Sequence, residues 1–171
     1  MTGAGHTATG IITSIIPSLV ATSFLGVEFY LITTFACIAG STAPDWLELP
    51  IKDKQGRIIR LIAHRTITHN VAIWLTLTTW AYSQITGFDL FPVMPTCDDP
   101  ILLSIAWGFG FGGLVHLFWD FPNKKPIPIF MMKAGVSLHL WESGKHERPI
   151  SLVTALITGL VVYRFDLVEF V

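Results

Sequence analysis

Charge is scarce in this chain. Only 13% of its 171 residues are Asp, Glu, Lys or Arg, about half of the roughly 25% typical of a soluble domain. With 51% hydrophobic residues and a mean hydropathy of +0.59, that scarcity excludes an ordinary solvated surface and points to a membrane protein. A net charge of −1 gives no reason to expect nucleic acid as a partner. Cysteine is nearly absent. Cys37 and Cys97 lack CxxC spacing, which excludes a zinc knuckle and a dithiol redox pair. No basic residue precedes the first apolar stretch, which also runs on too long for a signal peptide. The N-terminus is therefore expected to be a retained helix. Internal repeats and low-complexity stretches are missing too, and the length suits a single integral-membrane domain over residues 1–171.

What is present is a series of apolar runs. A membrane span needs about 20 mostly apolar residues. The runs start near Gly3, near Val27, just after His64-Arg65, near Ile101 and near Ile150, and end near Val20, Thr42, Ile85, Phe118 and Tyr163. They predict an all-α, polytopic bundle of about five transmembrane helices. Between them, Lys52 to Arg57, with Arg60 just after, reads as a solvated turn, and the segment over 127–141 as a short hairpin or a re-entrant piece. Small and polar residues mark the packing faces. His6, Gly10, Ser14 and Ser18 recur every four residues, as do Gly108, Gly112, His116 and Asp120. Such stripes let membrane helices approach closely.

Ten of the eleven basic residues lie in the segments after the second and fourth runs, including the edges of the neighbouring runs. Cytoplasmic segments carry the excess of lysine and arginine. The N-terminus is therefore expected in the cytoplasm and the C-terminus outside, in the periplasm. On this topology His6, Asp45, His64, His69, His116 and Asp120 all reach the cytoplasmic side. His64 is expected at or just before the start of the third helix and His69 about a turn inside it, with Arg65 and His69 on one face.

Imidazole and carboxylate suit zinc and similar divalent ions. Six such groups exceed the three ligands and water of one open catalytic zinc, so two ions would use them better. Arg65 suits a phosphate oxygen, which a guanidinium grips as a fork. His64 has a second role available, orienting a ligand from behind. His139 and His146 read as bystanders. Two other readings stand beside this one: a non-enzymatic membrane protein with a structural or transported metal, and a helix bundle with polar ends and no metal.

Gly5-His6, Pro44-Asp45, His64-Arg65-Thr66-Ile67-Thr68-His69 and His116-Leu117-Phe118-Trp119-Asp120 resemble the motif set of the YdjM-like predicted membrane-bound metal-dependent hydrolases. The resemblance runs from His6 to about Trp141. It implies a bacterial inner-membrane location, a divalent metal such as zinc held by His6, Asp45, His64, His69, His116 and Asp120, and a phosphoester substrate such as a phospholipid headgroup, with Arg65 and His64 catalytic. The family is in turn more distantly similar to zinc-dependent phospholipases C and P1-type nucleases. The chain departs from the family pattern at Thr66 and Asn70, and in the run from Asn123 to Pro128.

Overall fold

The computed structural model describes residues 1–88, 90, 94–129, 135–142 and 144–165. Its first two helices, α1 (Gly3–Thr13) and α2 (Ile15–Leu25), form one apolar rod with a step at Ser14. Pro17 causes the step, because it has no N–H to donate to the carbonyl of Thr13. A 3₁₀ turn, Val27–Phe29, leads into α3 (Tyr30–Gly40) and a single helical turn, α4 (Ala43–Trp46). A small antiparallel hairpin, β1 (Pro50–Lys52) with β2 (Ile58–Arg60), follows. After a second 3₁₀ turn, Ile67–His69, come α5 (Val71–Thr86) and the 21-residue α6 (Pro100–Asp120). β3 (Ile127–Pro128) pairs antiparallel with β4 (Gly135–Val136), and α7 (Glu147–Arg164) closes the described chain.

Helix α6 is the axis of the molecule. Asp99 caps it, accepting from the amides of Ile101 and Leu102, and Pro100 occupies its first turn. Two glycine faces let its neighbours come close. A Cβ on Gly112 would collide with the Cys37 carbonyl and lie 2.7 Å from Ser41 N, both on or just after α3. A Cβ on Gly110 would lie 2.7 Å from Thr78 Oγ1, and one on Gly113 would strike the Trp74 ring, both on α5. At one end of the rod Ala21, Ala81, Leu103 and Trp107 form an apolar cluster, and Trp107 Nε1 donates to the Pro17 carbonyl. At the opposite end Met1, Trp119 and Ile150 pack together.

Five transmembrane helices are not what the chain builds. Among the described residues only Gly3–Leu25 and Pro100–Asp120 are long and apolar enough to cross a membrane. Val27–Gly40 has 14 residues, about 21 Å at helical rise, against a hydrocarbon core of about 30 Å. Helix α5 has 16 residues. Helix α7 carries Glu147, Arg148 and Arg164 at its ends. The fold is also not purely α, since two short hairpins interrupt it. One of them, β1–β2, carries the expected solvated turn at its tip, between Lys52 and Ile58.

The third helix also begins later than the apolar pattern suggests. Asn70 caps it, its side chain accepting from the Ala72 amide, so residues 64–69 stay outside α5. His64 and Arg65 are not helical, and Arg65 has a left-handed backbone with φ 60°. Arg65 and His69 therefore do not share a helix face.

A candidate metal centre at one end of the bundle

Five of the six expected ligands meet at one end of the bundle, brought there by four pieces of local structure. His6 comes from the first turns of α1 and is 1% exposed. Asp45 comes from α4, where Pro44 sits in the first turn and ends the run of α3. His69 closes the 3₁₀ turn, and the Trp74 indole fixes that turn by donating to the Thr68 carbonyl at 2.7 Å. His116 and Asp120 lie one turn apart at the end of α6. His6, His69 and His116 are all fully buried. The His6 and His116 rings stack 3.6 Å apart, and His69 meets His116 edge-on.

Hydrogen bonds set which nitrogen each ring presents. His116 Nδ1 lies 2.8 Å from the Ser41 carbonyl, which only accepts, so Nδ1 carries the proton and Nε2 keeps its lone pair. His64 Nδ1 lies 2.7 Å from Glu48 Oε1 by the same logic. His69 Nδ1 faces Thr68 Oγ1 at 3.1 Å and Glu48 Oε1 at 3.3 Å. The opposite nitrogens are left over. His69 Nε2, His116 Nε2 and both ring nitrogens of His6 are buried without a hydrogen bond. Their nearest acids are carboxylates at poor geometry. His6 Nε2 is 3.4 Å from Asp120 Oδ1, His69 Nε2 is 3.6 Å from Asp45 Oδ1, and His116 Nε2 is 3.9 Å from Asp120 Oδ2.

A buried polar atom with no partner costs about 1–3 kcal/mol. Four such nitrogens at one point would be a large charge against a domain stable by about 5–15 kcal/mol. A divalent cation would offset it, because neutral imidazole and carboxylate are ligands such an ion prefers. Three overlapping groups have ligand atoms within 4.8 Å of one another: Asp45, Glu48, His64 and His69; His6, Asp45 and His116; His69, His116 and Asp120. Asp45, His69 and His116 each belong to two of them, so the donor set fits one ion or two neighbouring ions.

Glu48 escaped the sequence reading. It stands in the loop after α4, flanked by Leu47 and Leu49, and is fully buried. Its Oε1 accepts from the Arg65 amide at 3.2 Å as well as holding His64 and His69, and its Oε2 pairs with Arg60 Nε at 3.1 Å. The signal was available in the spacing: Asp45 and Glu48 are three apart, and a lone acid among apolar residues is costly unless partnered.

Arg65 lies inside the site rather than beside it. Its Nη2 donates to Asp120 Oδ2 at 2.6 Å, and its Nη1 donates to the Lys125 carbonyl. The N-terminal ammonium of Met1 takes the other Asp120 oxygen at 2.7 Å. Burial works to raise the Asp45 pKa, but the neighbouring His69, His116 and His6 outweigh it and hold the carboxyl at about 2. Burial lowers the His64 pKa, against the opposing pull of Glu48. At neutral pH the site therefore offers an ionised carboxylate and a largely neutral imidazole.

The cluster opens into a polar cleft of about 390 Å³. Arg60, Arg65, Lys124 and Lys125 line it, together with Asp45, Asp120 and Glu142, and His64 stands at its wall. Lys124 and Lys145 both pair with Glu142. His139 and His146 are exposed and take no part. The model of the YdjM inner membrane protein family matches residues 1–165. No curated protein and no solved structure matches the chain.

Proposed function

The chain belongs to the YdjM inner membrane protein family, and from that premise we propose that it is a metal-dependent hydrolase of phosphoesters, a phospholipid headgroup among them. The observation that carries the proposal is the convergence of three buried imidazoles, with their unpaired nitrogens, on two carboxylates at the floor of a cleft lined by cations. His69, His116, Asp45, Asp120 and His6 would hold the ion, with zinc the best match to the donors. A bound divalent ion would supply Lewis-acid charge to a phosphoryl oxygen.

The chain's own residues supply the rest. Glu48 holds the Nδ1 side of His64, which leaves His64 Nε2 as the atom able to take a proton from an attacking water. Arg65 and Lys125 place positive charge where a phosphate anion would enter. Arg65 also shields Asp120, so an entering phosphate and Asp120 compete for one guanidinium. Zinc-dependent phospholipases C and P1-type nucleases would be the chemical precedent for this proposal.

The test is metal content and phosphoester turnover on the same preparations. Wild-type protein purified without chelator should carry a divalent ion and hydrolyse a model phosphodiester or phosphomonoester. Ala at His69, His116 or Asp120 should remove most of the metal and the turnover together. Arg65→Ala should keep the metal and lose turnover. Bound metal without turnover of any phosphoester would support a structural or transported ion instead, and wild-type protein free of metal would remove the basis of both readings.

A further inference from the structure

The β1–β2 hairpin is an outlier in this fold. All six of its strand residues are exposed. Ile51 and Ile59 are direct cross-strand partners, so their side chains share one face. Alternation puts Leu61 on that face as well, and the Leu61 amide donates to the Leu49 carbonyl, extending the pairing by one step. Ile51, Ile59, Leu61 and Leu49 are 42%, 48%, 64% and 50% exposed. A two-stranded hairpin is marginal in water by itself, and a contiguous aliphatic patch marks a surface that something covers.

The charges around the patch say what covers it. Lys52, Lys54 and Arg57 surround the turn, and Asp53 is the only acid there. Asp53 is itself taken up inside the turn by the Gln55 and Arg57 amides and by the Arg57 guanidinium, so the turn's excess positive charge is carried by the exposed Lys52 and Lys54. Aliphatic side chains rimmed by cations suit the boundary of an anionic bilayer, where apolar groups enter the acyl region and cations meet headgroup phosphates. The hairpin is at the right height. It leaves the bundle at the end where Met1 and Asp120 meet, which is one end of both candidate spans. It is also joined to the cleft, since Arg60 of β2 lines that cleft and pairs with Glu48.

We infer that the β1–β2 hairpin is a membrane-surface anchor that lays Leu49, Ile51, Ile59 and Leu61 into an anionic leaflet and so sets the mouth of the metal cleft in the headgroup layer. The inference does not depend on hydrolysis.

The test uses the full chain reconstituted in vesicles. An environment-sensitive fluorophore is attached at Ile59→Cys, in a background with Cys37 and Cys97 replaced by Ser. In vesicles containing phosphatidylglycerol the label should shift to the blue and be quenched by lipids labelled in the acyl chain. Quenching should fall several-fold in phosphatidylcholine vesicles, at high salt, and in the Lys52→Glu, Lys54→Glu, Arg57→Glu variant, whose metal content should stay at the wild-type level. The salt series leaves the charges of the protein in place, so it reads the anchor even where the triple variant folds poorly. A label that stays in water in every vesicle overturns the inference. So does a label quenched equally with and without anionic lipid, or one that cross-links efficiently between copies of the chain.

Discussion

His116 shows how a single contact decides the chemistry of a residue. Its Nδ1–H is spent on the Ser41 carbonyl, which turns a ring that could face either way into one that presents Nε2. Glu48 does the same for His64 and contributes to the placing of His69. Outer partners of this kind raise ligand basicity, and their loss costs about 10–100-fold in metal affinity. Glu48→Ala should therefore weaken metal binding by about that factor while His69 and His116 remain in place. Isothermal titration of the apo protein with zinc checks it, and unchanged affinity would deny Glu48 its positioning role. The histidines themselves were legible in the sequence, because ionisable groups in apolar runs stand out. Glu48 was legible only in its spacing from Asp45 and its leucine neighbours, since a glutamate in a loop looks solvated until the fold buries it.

That α6 has a close-packing face is readable from glycine spacing alone, but that α3 is its partner there comes only from the fold. Gly108 and Gly112 face Thr33 and Cys37, and the same face delivers His116 and Asp120 to the site. Gly112→Leu should drive the two helices apart, at a cost of about 1–3 kcal/mol or more for overpacking, and lower metal content along with thermal stability. Wild-type metal occupancy in that variant would separate this face from the site. The turn from Thr66 to His69 is not the start of the third helix that the apolar pattern suggests, because apolar periodicity does not register the Asn70 cap or the left-handed Arg65 backbone. The turn of the β1–β2 hairpin carries a pH-dependent prediction. Arg57 beside Asp53, first by its side chain and then by its backbone amide, holds the Asp53 carboxyl below its ordinary 3.8. A depressed carboxyl stabilises the turn fully above its ordinary value and loses that effect as pH falls through the folded one. Hydrogen-exchange protection of the Gln55 and Arg57 amides should decline on acidification in that range, after correction for intrinsic exchange, and Asp53→Asn should abolish the dependence.

At the scale of the whole molecule, the outward faces are apolar. Leu31 and Phe35 of α3 and Leu152, Leu156 and Leu160 of α7 are all more than half exposed, which suits helices that touch lipid or neighbouring helices. The site end gathers Lys52, Lys54, Arg57, Arg60, Lys124, Lys125 and Lys145, whereas Arg164 ends α7. By the bias of basic residues this end should face the cytoplasm. A Lys54→Cys thiol should react with an impermeant reagent in inside-out vesicles and stay protected in right-side-out ones, and the reverse pattern would put the site in the periplasm. Composition announced the membrane but overstated the number of long spans, because apolar helices too short to cross, such as Val27–Gly40, pass for spans when only their hydropathy is read. The account turns on three imidazoles presenting nitrogen to a shared ion. X-ray absorption of the metal-loaded wild-type protein tests that most directly. It should show nitrogen and oxygen donors at about 2.0–2.2 Å, with the outer-shell scattering of two or more imidazoles. A sulfur shell at about 2.3 Å, or an oxygen shell without imidazole scattering, would contradict it.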